Sequence, residues 1–384
     1  MQSKRILKLN PYKPGEQPKD RNYIKLNANE NPYPPAPEVM TAVSNAILQN
    51  PMLMALYPDP NSVELRKKIA DLLNVSGGVL CRTEICDDKV NASEQDKIPF
   101  EVTPEMIFTG NGSDEVLSFI FYAFFDSDRP VFQPEHTYSF YPVYAGYYDI
   151  PLKKIPLNKD FTIDCQQMIS SAVEAESSVI FANPNAPTGI AMTREQVRQM
   201  LLALPKNRVH VVDEAYVDFG GESCIPLLKE FPNLVIVRTF SKSLSFAGSR
   251  LGFVVANPDL IAALHCVKDS FNHFPVDTVT QIAGKTACEC PSYYAKTAKA
   301  IVECREDFSG WLLERGWTVI PSSTNFILAK KEGFTGEEIY KRIKEQGILV
   351  RHFATSGVEN FVRITIGNPE QMEELKKAIQ TFDV

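Results

Sequence analysis

The stretch Val235–Phe253, VIVRTFSKSLSFAGSRLGF, begins as an apolar strand and ends in chemistry. Leu234, Val235, Ile236 and Val237 lead through Thr239, Phe240 and Ser241 to Lys242, which has a serine on each side, and then through a glycine-containing turn to Arg250. A lysine amine is a weak nucleophile while protonated; partial burial beside another cation lowers its pKa and frees the lone pair. Taken alone, Lys242 reads as readily as a surface residue at a strand end. The choice between the two depends on what the rest of the chain supplies.

Strand and helix patterns alternate on both sides of that stretch. Met106–Thr109 predicts a strand, Gly110-Asn111-Gly112-Ser113-Asp114-Glu115 a turn, and Val116–Phe125 an apolar helix. Pro130–Phe132 and Ser178–Ala182 predict further strands; the second ends in Asn183-Pro184-Asn185-Ala186-Pro187-Thr188-Gly189. Val209–Val212 is an apolar strand ending on Asp213-Glu214-Ala215-Tyr216. Such alternation implies an α/β fold with a mostly parallel sheet covered by helices, in which ligands gather at the carboxyl ends of the strands. Every polar motif named so far falls at such an end.

The flanks read differently. Residues 1–37 are rich in Pro, Lys and Asn and include LNANENPYPPAP, held extended by its prolines and predicted to lie across another part of the molecule. Helical spacing marks 38–48 and 62–73, and between them LYPDP (56–60) forms a turn carrying Tyr57. Residues 75–104 are polar without a sustained period and read as an insertion or long surface loop. From Pro258 helices dominate, including one predicted over Ser292–Arg315. A small α+β part closes the chain, with strands expected at Thr318–Pro321, Asn325–Ala329, Ile348–Phe353 and Phe361–Ile366. The organisation expected is an arm over 1–37 contributing to a small domain, a large domain over 38–275 and a small domain over 276–384.

A chain of 384 residues suits one large and one small domain. A net charge of −7 argues against nucleic-acid or anionic-membrane partners. The longest apolar run, Leu117–Phe125, is too short to span a bilayer, and the N-terminus has no apolar signal core. Eight cysteines are scattered without a CxxC pair, so reduced thiols and a cytoplasmic setting are expected. The five histidines form no ligand cluster, and no metal site is predicted.

Three features then need one explanation: a candidate amine nucleophile at Lys242, an acid at the end of a buried strand at Asp213, and a candidate phosphate cup at Gly112 and Ser113 with Ser241 and Arg250. The cup has a plainer reading, capping of the helix by Ser113 with Asp114 and Glu115 favouring its dipole. A buried carboxylate, however, requires a positive partner. Pyridoxal phosphate meets all three demands, because its aldehyde condenses with a lysine, its ring nitrogen pairs with an acid, and its phosphate takes a helix N-terminus and a cation. Rival signatures fail: Gly110-x-Gly112 lacks a third dinucleotide-binding glycine, and Gly284-Lys285-Thr286 lacks the first glycine of a phosphate loop.

With these motifs in order, the chain resembles the fold-type I pyridoxal-phosphate aminotransferases, and among them the histidinol-phosphate aminotransferase family. The resemblance rests on LNANENPYPP (26–35), LYPDP (56–60), GNGSDEVL (110–117), NPNAPTG (183–189), VVDEAYVDF (211–219), TFSKSLSFAGSRLGF (239–253) and FVRITIG (361–367). It implies a large domain with a mostly parallel seven-stranded sheet, a smaller α+β domain and a homodimer. It also implies amino transfer between histidinol phosphate and 2-oxoglutarate by a ping-pong route. Aromatic amino-acid transamination and threonine-phosphate decarboxylation use the same apparatus and stay open as alternatives. A non-catalytic homologue would have no need to keep Lys242, Asp213 and Arg250 together.

The resemblance also implies roles. Lys242 would carry the cofactor and then shuttle a proton, Asp213 would keep the ring nitrogen protonated, Tyr138 would stack on the ring, and Tyr216 would hydrogen-bond its hydroxyl. Gly112, Ser113, Asp114, Ser241 and Arg250 would surround the phosphate, joined by Tyr57 from the neighbouring subunit. Arg351 and Arg363, with Asn29, would bind substrate, the two guanidiniums gripping its anionic end. Many relatives have Asn before the Pro-Thr-Gly, where this chain has Ala186; Asn185 or Asn183 is the expected substitute.

Overall fold

The computed structural model describes residues 6–12, 15, 16 and 18–382. The N-terminal arm contributes β1 (Ile24–Lys25), and the segment after α1 (Pro37–Gln49) and α2 (Val63–Ser76) forms a hairpin of β2 (Glu84–Cys86) and β3 (Lys89–Asn91). The central sheet follows. Its strands are β4 (Ile107–Asn111), β5 (Val131–Pro134), β6 (Leu152–Ile155), β7 (Ser178–Ala182), β8 (His210–Asp213), β9 (Leu234–Thr239) and β10 (Leu251–Ala256). They lie in the order β4-β10-β9-β8-β7-β5-β6. Only β10 runs antiparallel to its neighbours.

Helices cover this sheet on both faces, which is why β5, β7, β8, β9 and β10 are buried along their whole length. Each fully buried Val, Leu or Ile in these strands contributes about 1.5–3 kcal/mol of hydrophobic stabilisation. The helix α3 (Gly112–Phe124) starts directly at the end of β4 and packs Val116, Leu117, Phe119, Ile120 and Phe121 into the core.

A second sheet, antiparallel, holds β11 (Trp317–Ile320), β12 (Phe326–Lys331), β14 (Arg351–His352) and β15 (Val362–Thr365) in the order β11-β12-β15-β14. The strand expected over 348–353 is divided. Its first part, β13 (Ile348–Leu349), pairs in parallel with β1 of the N-terminal arm, and only Arg351–His352 joins β15. The arm is thereby stitched to the small domain through sheet pairing that local sequence patterns do not reveal.

Segment 75–104 is more ordered than the surface loop expected of it. The helix α2 runs on to Ser76 and ends at Gly77, which has φ +64°. Val79, Leu80, Val90 and Val102 are buried, and residues 80–82 pack against the long helix Pro291–Leu313. All eight cysteines carry free thiols. Among the described residues no helix is long and apolar enough to cross a membrane, and no His, Cys, Asp or Glu cluster could hold a metal.

Candidate active site

The reversal of β10 creates the site. It makes the loop 240–250 a hairpin connection between β9 and β10, so Lys242 and Arg250 emerge at the same edge where β4 and β8 end. Leu251 lies opposite Asn111, which sets Arg250 against the start of α3. Gly112 has φ +78°, and a Cβ there would come within 2.6 Å of Arg250 Nη2. At Gly252 a Cβ would meet the Ser113 backbone nitrogen at 2.4 Å. Gly112 is favoured by its left-handed backbone, and Gly252 is required by the close approach of the backbone at the start of α3.

Asn111 makes no side-chain cap on α3; instead the Glu115 carboxylate accepts from the Asn111 backbone N–H at 2.7 Å. Capping by the Ser113 hydroxyl is thus not what the structure shows. Asp114 accepts from Arg250 Nη2 and from the Tyr138 hydroxyl, each at 2.7 Å. Helix start, guanidinium and aromatic ring are tied into one corner.

Asp213, at the carboxyl end of β8, is 4% exposed. Its Oδ2 accepts from the Tyr141 hydroxyl at 2.8 Å and its Oδ1 from the Ala215 N–H at 3.1 Å. Among the described residues no cation pairs with it. Burial pushes its pKa up to about 6, against the lowering effect of those two hydrogen bonds.

Lys242 is half-buried, and its Nζ donates to the carbonyls of Asn29 at 3.2 Å and Ala28 at 3.4 Å while lying 5.5 Å from the centre of the Tyr216 ring. Asn29 is buried in the left-handed region at φ +54°. Its Nδ2 donates to the Tyr216 hydroxyl at 2.9 Å, its Oδ1 accepts from the Thr365 hydroxyl at 3.1 Å, and its carbonyl also accepts from Asn325 Nδ2 at 3.1 Å. One arm residue thus touches the large domain at Lys242 and Tyr216 and the small domain at Thr365 and Asn325.

Lys242, Tyr216 and Asn29 open onto a cavity of about 470 Å³ between the two domains. Asn29, Tyr138, Tyr216 and Lys242 line it together with Arg351 and Arg363 from the small domain. The two arginines are direct cross-strand partners on β14 and β15. Both guanidiniums lie over the Phe353 ring, Arg351 Cζ 5.5 Å and Arg363 Cζ 5.4 Å from its centre. Burial and the neighbouring Arg351 push the Arg363 pKa down from its usual value, while Nη2 donates to the Asn27 carbonyl at 3.1 Å. Like charges held this close favour an anion between them. Several buried polar atoms of residues lining the cavity have no hydrogen-bond partner among the described residues: Asn27 Oδ1, Gln133 Oε1, Thr137 Oγ1 and Arg363 Nε.

The remaining expected site residues, Asp213 among them, do not belong to the wall of this cavity. Gly112, Ser113, Asp114 and Arg250 form the adjoining corner at α3, and Ser241 is buried at the start of the Lys242 turn. Asn185 directs Nδ2 to the His136 carbonyl at 2.8 Å and to the Thr188 hydroxyl at 3.1 Å, and it lines a neighbouring cavity instead. Asn183 exchanges two hydrogen bonds with the Met192 backbone. Ala186 itself lines the main cavity. Tyr57 is 84% exposed and stacks on Phe274 at 4.6 Å, outside the cavity of its own chain. Asn27, Gln133, Thr137 and Tyr141 escaped the sequence reading as site residues. Gln133 alone left a signal, as an amide inside the otherwise apolar strand VFQP.

The residues present fit pyridoxal phosphate. A buried acid with no cation suits a protonated ring nitrogen, the start of α3 beside Arg250 suits a phosphate, and Lys242 suits an aldehyde. Residues 21–379 match the family described as aminotransferase class I and II. The chain is 46% identical, over 98% of both proteins, to the histidinol-phosphate aminotransferase of Syntrophus aciditrophicus (strain SB). It is 40% identical to that of Acinetobacter baumannii (strain AYE), over 98% of this chain and 96% of the relative. Among solved structures, the histidinol-phosphate aminotransferase of Sinorhizobium meliloti in complex with pyridoxal-5'-phosphate has a similar fold, with a TM-score of 0.77 at 22% identity, covering 94% of this chain and 92% of the other. A Thermus thermophilus aspartate aminotransferase mutant has a TM-score of 0.80 at 19% identity, covering 100% and 99%.

Proposed function

The chain belongs to the class I and II aminotransferase family, and from that premise we propose that it moves an amino group between histidinol phosphate and 2-oxoglutarate in histidine biosynthesis. The products are imidazole acetol phosphate and glutamate, formed in two half-reactions at one site. The observation that carries this reading is a single cavity with a lysine amine on its large-domain wall and two guanidiniums on its small-domain wall. The amine can move a proton, and the guanidiniums can hold phosphate in one half-reaction and carboxylate in the other.

Lys242, Asp213, Tyr216, Gly112, Ser113, Ser241 and Arg250 would hold pyridoxal 5'-phosphate. When bound, that group supplies an electron sink for negative charge at the substrate carbon beside the nitrogen. Asp213 keeps a positive charge in a buried environment where its own carboxylate has no other cation. Asn29 donates to the Tyr216 hydroxyl and leaves that oxygen's own proton free to be donated into the cavity. Lys242 takes a proton from the substrate carbon and returns one to the neighbouring position, and the Ala28 and Asn29 carbonyls hold its nitrogen while charged.

The proposal includes a cytoplasmic homodimer. Leu48, Met52, Met54, Leu56 and Tyr57 are exposed within one short stretch, an apolar surface that a second copy would cover. Tyr57 would then reach the partner's site. The free thiols suit a reducing interior.

Comparing amino transfer from histidinol phosphate, phenylalanine and threonine phosphate to 2-oxoglutarate tests the assignment. The highest kcat/KM is expected for histidinol phosphate. A higher value for phenylalanine, or carbon dioxide released from threonine phosphate, would replace the reading.

A further inference from the structure

We propose that Gln133 and Thr137 form a neutral subsite that recognises the imidazole ring of the substrate. The inference rests on the function proposed above and concerns which residues of the same cavity separate histidinol phosphate from glutamate and from aromatic amino acids.

Gln133 occupies the next-to-last position of β5 and is 2% exposed; Thr137 lies just beyond the strand and is 7% exposed. Both line the cavity that holds Lys242. Neither Gln133 Oε1 nor Thr137 Oγ1 has a hydrogen-bond partner among the described residues. A buried polar atom left unpartnered costs about 1–3 kcal/mol, so a strand of otherwise apolar residues gains nothing from carrying one unless a ligand completes it.

The chemistry of the two substrates indicates which ligand group that is. Both bring an amino nitrogen, which belongs at Lys242, and both bring an anion, which suits the guanidiniums of Arg351 and Arg363 on the opposite domain. The imidazole ring is the group that glutamate lacks. In its neutral form it offers one N–H donor and one nitrogen acceptor. A side-chain amide and a hydroxyl complement that pair: the amide oxygen accepts the ring N–H, and the threonine hydroxyl donates to the other ring nitrogen. A phenyl ring can do neither, and bringing it here would leave both polar groups buried and unpaired. Discrimination of this kind is stronger than any a shape-matched apolar wall can offer. The subsite thus accounts for a preference that the arginines, which hold an anion of any substrate, cannot supply.

The test uses the cofactor-loaded enzyme and the near-isosteric variants Gln133→Met and Thr137→Val, with Thr137→Ser as the variant that keeps the hydroxyl. For each, kcat/KM is measured separately with histidinol phosphate and with glutamate, and histidinol phosphate is titrated against the melting temperature. Either isosteric variant should lower kcat/KM for histidinol phosphate about tenfold and raise the concentration giving half the thermal shift by a similar factor, while glutamate stays within about twofold. Thr137→Ser should stay close to the unsubstituted protein. Equal losses on both substrates, or an unchanged ratio between them, would overturn the subsite, since a packing defect would act on both half-reactions. If the unsubstituted enzyme transfers from glutamate but never from histidinol phosphate, the proposed function itself fails, and the subsite falls with it.

Discussion

Asp213 and Glu214 are neighbours in the chain, both deeply buried, and the fold treats them in opposite ways. Glu214 belongs to a closed network on one side of β8. Arg238 Nη1 pairs with Glu214 at 3.2 Å and donates to the Gly78 carbonyl at 2.8 Å, while Nη2 pairs with Asp218 at 3.2 Å. Ser223 and Ser243 donate to Glu214 and Asp218 at 2.9 and 2.6 Å, and the Leu80 N–H donates to Asp218 at 2.9 Å. Every partner there is protein. Asp213, at the carboxyl end of β8, has two hydrogen bonds and, among the described residues, no cation. The difference separates an acid paired with a guanidinium from one that has no cation among the described residues, as a site for a positively charged ligand would require. The closed network also serves the open side, because it ties the turn at 78–80, the loop after Asp213 and the turn at Ser243 to one guanidinium.

The largest effect is expected from Lys242→Ala, which removes the amine proposed to move the proton and should lower turnover by about 10⁴-fold or more. The steady-state rate checks this, and a rate near that of the unsubstituted enzyme would mean that the open side is not the catalytic side. On the closed side, Arg238→Met leaves two buried carboxylates without their counterion and should cost about 3–5 kcal/mol of stability in urea unfolding. A loss within error of zero would show that the network is not structural.

Asp213→Asn should do the reverse of the Arg238 substitution. Without cofactor it should stabilise the protein, and with cofactor it should reduce kcat about 10²–10³-fold. The sign follows from the raised pKa of about 6. Ionising this carboxyl burdens the folded state, so the unsubstituted cofactor-free protein should lose stability relative to the variant as pH rises from its ordinary range through about 6, by about 3 kcal/mol in all. Equal stability of the two at pH 8 would contradict an acid left waiting for a positive ligand. The smallest effect is placed on the facing domain. Arg351→Ala should lower kcat/KM for histidinol phosphate by about tenfold and for glutamate by less, because the dianionic phosphate draws more on two guanidiniums. Equal losses would remove the proposed role in choosing between the substrates.

Much of the open side was legible before any coordinates. Lys242 and Asp213 each close an apolar strand, and Gly112 sits where a strand turns into a helix, so strand-end logic finds all three. The closed side was not, because Arg238 reads as one polar residue in a strand, and its partners lie in segments that local pattern cannot bring together. Asn29 was expected to bind substrate, while its contacts to Lys242, Tyr216, Thr365 and Asn325 became visible only in three dimensions. Segment 75–104 lacked a period because its residues are buried by the sheet and the long helix, not by an amphipathic face of their own.

Local sequence determined which segments could be buried strands and which side chains with chemistry stood at their ends, because alternation, glycine turns and apolar runs act over a few residues. Tertiary structure decided the rest. The reversal of β10 sets Arg250 against Gly112, β1 joins β13, and Gln133 and Thr137 line the same cavity as Lys242, Arg351 and Arg363. Pairing between distant strands is settled by the packing of the whole sheet, and a hydrogen-bonding group is known to lack a partner only when everything around it is in place.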